Sequence, residues 1–81
     1  KKITVSGTVR DVQATLIDGV SIHSKTSGCE LGRTDSKGRY KVRVSASDIL
    51  VFEKKGYLKL EVPVNNHISL NVKMTYGDNN M

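Results

Sequence analysis

Polar and apolar side chains alternate singly along most of this chain, and nowhere do apolar residues recur at i, i+3, i+4 and i+7 over three turns of helix. In an extended strand successive side chains leave opposite faces, so this period builds sheets with one dry and one wet side. The chain is therefore expected to be all β. Ile3, Val5, Gly7 and Val9 alternate with Thr4, Ser6, Thr8 and Arg10 as a first strand, and Val20 and Ile22 with Ser21 and His23 as a second. Tyr40, Val42 and Val44 face inward against Arg39, Lys41 and Arg43. Tyr57 opens a strand in which Leu58, Leu60, Val62 and Val64 alternate with Lys59, Glu61 and Pro63, and Ile68, Leu70, Val72 and Met74 alternate with Ser69, Asn71, Lys73 and Thr75. One stretch breaks the rhythm. Ile49, Leu50, Val51 and Phe52 are consecutively apolar, as in a strand covered on both faces.

Turn chemistry separates these rows. In Asp35-Ser36-Lys37-Gly38 the carboxylate can fold back onto backbone N–H groups while Gly38 takes the positive φ that closes a hairpin loop. Asn65-Asn66 supplies another hairpin turn, and Pro63, the only proline, belongs where its missing donor faces an edge. Asp11 to Gly19 reads as mostly irregular, with Ala14, Leu16 and Ile17 placed to dip toward the core. Gly28 and Gly32 bracket either a loop or a short, weakly paired strand. Six or seven short strands in this arrangement describe a small antiparallel sandwich with Greek-key connections. It is expected to occupy residues 1–76 as one domain, with 77–81 a flexible tail or the start of a linker.

With 81 residues there is room for one core and none for a second lobe or a cofactor-binding subdomain. No apolar run approaches the length of a membrane-spanning helix, and the segment behind Lys1 and Lys2 is too polar for an export core. Thirteen Lys and Arg against eight Asp and Glu leave a net charge of +5, which permits acidic partners without naming one.

No catalytic constellation is visible. His23 and His67 stand apart with no Cys or carboxylate at ligand spacing, so no metal site is expected. Asp35 and Asp48 each sit where a turn begins, and capping that turn is their expected work. Cys29, the single cysteine, has no internal disulfide partner; it is a loop or core thiol without function, or a reactive thiol if a cation or His lies beside it. Lys37, Arg39, Lys41 and Arg43 follow one another at every second position, a line of positive charge about 20 Å long. It reads first as a solvated face that discourages edge pairing, and second as a possible interaction face for an acidic protein or anionic lipid. Nucleic acid is not expected, because the residues between these cations point to the core and offer no stacking surface.

In order and spacing, VSGTVRD, DGVSI, TDSKGRY, ILVFEKKGY and ISLNVKM resemble the carboxypeptidase-regulatory-like (transthyretin-like) β-sandwich domain. The version found in front of the plug of SusC/RagA-type TonB-dependent outer-membrane transporters of Bacteroidetes is the most similar. The resemblance runs from Ile3 to Met74, and its most specific part is Thr34-Asp35-x-x-Gly38-x-Tyr40 followed by Gly56-Tyr57.

That resemblance implies a seven-stranded, prealbumin-like sandwich, a periplasmic location attached to the outer membrane through a parent protein, and no catalysis or cofactor of its own. It implies contacts with the parent's plug and barrel or with other periplasmic proteins. The motif residues Gly7, Gly19, Asp35, Gly38, Tyr40, Phe52, Gly56 and Tyr57, with Val5, Val9 and Val20, carry over as fold determinants and not as ligand contacts. Two departures stand out. Ala14-Thr15-Leu16-Ile17 replaces the usual Gly-x-Pro-Leu turn, and Lys54-Lys55 replaces an apolar pair, which makes that strand end wetter. The alternatives are a carbohydrate-binding or adhesion module of a surface protein, or a regulatory domain attached to a carboxypeptidase. Since a transporter barrel needs many hundreds of residues, the chain is either an excised domain or a free-standing small protein.

Overall fold

A computed structural model describes residues 2–77 of the chain. The strands are β1 (Lys2–Arg10), β2 (Ser21–Ser24), β3 (Glu30–Arg33), β4 (Arg39–Ser45), β5 (Ile49–Glu53), β6 (Leu60–Pro63) and β7 (Val72–Lys73), and no helix forms among the described residues. They make two sheets, one ordered β4-β1-β7 and the other β3-β2-β5-β6. The dry rows of both meet in one core. Val5, Val9, Val42 and Val44 come from the first sheet, Ile22, Leu50 and Phe52 from the second, and the Tyr40 and Phe52 rings meet edge to face at 5.5 Å. β5 is the strand covered on both faces: Leu50, Val51 and Phe52 are all buried.

Most of the alternation is kept. β4 is buried at Tyr40, Val42 and Val44 and exposed at Arg39, Lys41 and Arg43. Gly28–Gly32 resolves into β3, whose pairing with β2 shifts register between Ile22 and His23. Pro63 lies on the outer strand β6. Because Val64 donates to the Asp48 carbonyl, alternate residues of that strand bond to β5 while Glu61 and Pro63 point to the open edge, where a missing N–H leaves little for another strand to pair with.

Several expectations are corrected. The sandwich is not wholly antiparallel, since β7 runs parallel to β1, with Val9 opposite Val72 and Arg10 opposite Lys73. The strand expected from Tyr57 starts at Leu60, leaving Leu58 45% exposed and Tyr57 in an isolated bridge to Tyr76. The last strand is two residues long and Ile68 is 66% exposed. The Asp35–Gly38 and Asn65–Asn66 turns do not join neighbours of a ladder; each carries the chain from one sheet to the other. Of the three residues expected to dip inward before β2, Ile17 is buried while Ala14 and Leu16 are exposed. Of the expected tail, Gly77 donates its N–H to the Gly56 carbonyl, and 78–81 lie outside the described residues.

The motif residues act through geometry. A methyl group at Gly7 would fall 1.9 Å from the Leu70 carbonyl oxygen. Tyr40, the cross-strand partner of Gly7, donates its hydroxyl to that same oxygen. The Thr8 amide is met instead by the side-chain oxygen of Asn71 at 3.0 Å. Gly7 and Tyr40 thus dock the last strand against the first. The Asp35 carboxylate accepts the N–H groups of Lys37 and Arg39, and Gly38 turns at φ 70° in a corner where a Cβ would press on Leu16 and the Val9 carbonyl. Gly19 and Gly56 also take positive φ, 69° and 92°. Thr34 is buried, its hydroxyl donating to the Ile17 carbonyl and accepting from the Val20 amide. In the replaced turn it is Ala14 that takes the left-handed conformation, φ 66°, inside a loop tied by Asp11.

Candidate functional site

The outer faces of the two sheets differ in charge, and that difference defines the candidate site. Alternation turns Lys2, Thr4, Ser6, Thr8 and Arg10 of β1 outward, together with Arg39, Lys41 and Arg43 of β4. The register places Arg43 beside Thr4, Lys41 beside Ser6 and Arg39 beside Thr8. On the other flank Ser69 bridges Ser6 and Lys73 stands opposite Arg10. β1, β4 and β7 carry no acidic residue. The result is a lane of small hydroxyl residues along β1, with cations rising beside it.

Two carboxylates flank these strands along the chain, and both are engaged by their own turns. Asp35, at the turn before β4, approaches Arg39 at 3.7 Å, but its Oδ1 is held by two backbone N–H groups. Those amides, Arg39's first, with the two cations behind them, hold its carboxyl below the usual range. Asp11, after β1, accepts the Tyr76 hydroxyl at 2.7 Å and the amides of Gln13 and Thr15. The tyrosine bond is the main cause that lowers the Asp11 pKa, and the same bond pushes Tyr76 up to about 12. Lys2, Arg10, Lys41, Arg43 and Lys73 have no ion-pair partner among the described residues.

The four-stranded sheet pairs the charges on its strands and those of Lys25 and Lys59 beside them, while Lys54 and Lys55, just after β5, have no ion-pair partner among the described residues. All three glutamates of the chain lie on it, Glu30 with Arg33 at 2.9 Å, Glu61 with Lys25 at 2.9 Å, and Glu53 between His23 at 3.8 Å and Lys59 at 4.0 Å. The Lys25 bond keeps the Glu61 pKa below its ordinary value. A cleft of about 450 Å³ opens at the end of this sheet, lined by Gly19, Ser21, Arg33, Glu53, Lys54 and Lys55.

The sequence-derived interaction row is therefore changed in membership. Arg39, Lys41 and Arg43 share one face; Lys37 sits in the preceding turn, off the strand. Lys2, Arg10 and Lys73 join them, and alternation along their own strands put each on a wet side. What the sequence hid was that those strands are neighbours.

Elsewhere the titratable groups do not converge. Asp48 is buried, accepting the Ser24 and Thr26 hydroxyls and the Ile49 amide. Burial opposes its charge, yet these bonds outweigh it and leave the pKa lowered. His67 bonds through Nδ1 to the Val64 carbonyl, far along the chain from His23, and no group of three His, Cys, Asp or Glu among the described residues is arranged to hold a metal. Cys29 is exposed in the β2–β3 loop, its amide bonded to Ser27. Of the aromatics, Tyr40 and Phe52 are buried and Tyr57 is half-buried; Tyr76 is half-exposed, stacked on Tyr57 at 5.1 Å.

No protein-family model matches the chain, and no curated protein matches it.

Proposed function

We propose that the chain is a non-catalytic docking domain that works through the cationic outer face of its three-stranded sheet. The observation that carries this reading is the segregation of charge. One sheet sets its glutamates against Lys25, Arg33 and Lys59 and leaves only Lys54 and Lys55 beyond β5 unpaired, while the outer face of the other presents Lys2, Arg10, Lys41, Arg43 and Lys73 without a counter-charge among the described residues. Like charges on one side of a small sheet repel, so such a face does little for folding and attracts an anionic partner. Asp11, Asp35 and Asp48, instead of standing free as acid or base, are engaged by the amides and hydroxyls of their own turns.

Within this reading, the ordered motifs favour a carboxypeptidase-regulatory-like, prealbumin-like sandwich with Greek-key connections. They favour its use as a periplasmic accessory domain in front of a TonB-dependent, SusC-like transporter. Gly7, Asp35, Gly38 and Tyr40 support the resemblance by doing structural work at the matching positions. The coding sequence beyond Met81 tests the placement. A plug and barrel are expected; a zinc carboxypeptidase, a repeat array or a stop codon overturns it and leaves the docking role to be decided by cross-linking from the basic face.

A further inference from the structure

The cationic face has a repeat, and the repeat names a partner more closely than its sign does. Resting on the docking role above, we infer that the face receives an extended, acidic peptide segment of a partner protein whose carboxylates occur at every second residue.

The three-stranded sheet is built from successive rows: Arg43 beside Thr4, Lys41 beside Ser6, Arg39 beside Thr8. Each row offers one cation from β4 and one hydroxyl from β1. Rows recur every two residues, about 6.6 to 6.8 Å. Side chains at i, i+2 and i+4 of another extended peptide have the same repeat and leave one face. Laid along β1, carboxylates of such a segment meet the Thr4 and Ser6 hydroxyls below and Arg43 and Lys41 at their side, a charge-assisted arrangement, while in the third row Thr8 already donates to Asn71 and Arg39 stands 3.7 Å from Asp35. The lane is shallow because Thr4, Ser6 and Thr8 are short and their β4 neighbours long. No other protein group takes the Thr4 and Ser6 hydroxyls among the described residues.

Other occupants fit less well. A second copy of this face would bring cation against cation. Single-stranded nucleic acid gains much of its affinity from bases stacked on aromatic rings, and the outward rows of β1 and β4 contain none. Lipid bilayers take up apolar side chains beside the cations, and these rows offer hydroxyls there instead.

The full chain, titrated in solution with two octapeptides of identical composition, decides the matter. One alternates Glu and Thr; the other places four Glu before four Thr. Backbone amide NMR shifts report the site, with vesicles containing phosphatidylglycerol and a single-stranded oligonucleotide as competitors. The alternating peptide is expected to bind about tenfold more tightly than the blocked one, the difference made by one or two close charge pairs brought into register. Its shifts should fall on β1 and β4, and raised salt should weaken it strongly. The double variant Lys41→Glu, Arg43→Glu should lose binding with a native-like spectrum, while Lys25→Glu, Lys59→Glu on the opposite sheet should keep it. Equal affinity for the two peptides, or stronger binding of vesicles or oligonucleotide, overturns the extended-segment inference and leaves a docking face intact. Absence of binding by every anion tested removes both.

Discussion

The two sheets share one core but treat charge and backbone oppositely. On and beside the four-stranded sheet Lys25, Arg33 and Lys59 each have a carboxylate within 4.0 Å, and glycine is tolerated within its strands without being required. A Cβ at Gly32 would reach the Val42 methyl at an ordinary 3.4 Å. In the three-stranded sheet the outward charges all have one sign, and the strands approach so closely at Gly7 that no side chain fits. One sheet meets most of the cations at its surface with glutamates; the other is fastened by its interior and leaves its surface for something else.

The sharpest way to break that contrast is a methyl group on each sheet. Gly7→Ala must push the Leu70 carbonyl aside and is expected to cost about 3 kcal/mol or more, enough to unfold a marginal small domain, whereas Gly32→Ala should change stability by less than about 1 kcal/mol. Urea denaturation followed by circular dichroism separates the two. Tyr40→Phe tests the same fastening more gently. It strands the Leu70 carbonyl without its donor and should cost about 1 to 3 kcal/mol with the fold retained.

Acid and alkali probe the seams between the sheets. Asp11, Asp35 and Asp48 have folded pKa values below 3.8, and Glu61 below 4.5. Between the folded and unfolded values the unfolded chain binds more protons, so stability rises with pH there. The contribution is complete above those unfolded values and is lost as pH falls below them through the folded ones. Tyr40, raised by burial, and Tyr76, raised by its bond to Asp11, work in the other direction. Both reach about 12 from 10, so their contribution is full below pH 10 and is lost as pH climbs toward 12. Thermal melts across pH should therefore fall at both ends, and Asp11→Asn with Tyr76→Phe should flatten both limbs.

Smaller effects sharpen the comparison. Ala14 holds a left-handed φ of 66° in the loop between the sheets, so Ala14→Gly should raise stability by up to about 1 kcal/mol. Lys25→Glu sets two carboxylates together at Glu61 and should cost about 0.5 kcal/mol, while Lys41→Glu relieves repulsion and should gain a few tenths. Opposite signs for the same chemical change would be the thermodynamic signature of the two surfaces.

Much of this was legible from residue order. The β4 rows, the carboxylate-closed turn at Asp35–Gly38 (though not the strands it joins), the doubly covered β5 and the edge position of Pro63 all follow from period and turn chemistry. Strand neighbours did not follow. A period of two assigns a residue to a face but says nothing of which strand lies alongside, so the parallel β1–β7 pairing and the union of Lys2, Arg10 and Lys73 with the β4 cations stayed hidden. Nor does alternation measure depth. Leu58 and Ile68 keep the rhythm yet lie outside the strands and are exposed. Asp11 and Tyr76, 65 residues apart, meet only after that closure.

Because β1 lies between β4 and β7, the first strand to be made is the last to be completed. Ile3 waits for Val44 and Val9 for Val72, separations of 41 and 63 residues, whereas β2, β3 and β5 can assemble among themselves much sooner. Distant pairing of this kind slows folding, and a ribosome stalled before Val72 holds a half-built molecule with an oily flank open to chaperones and proteases.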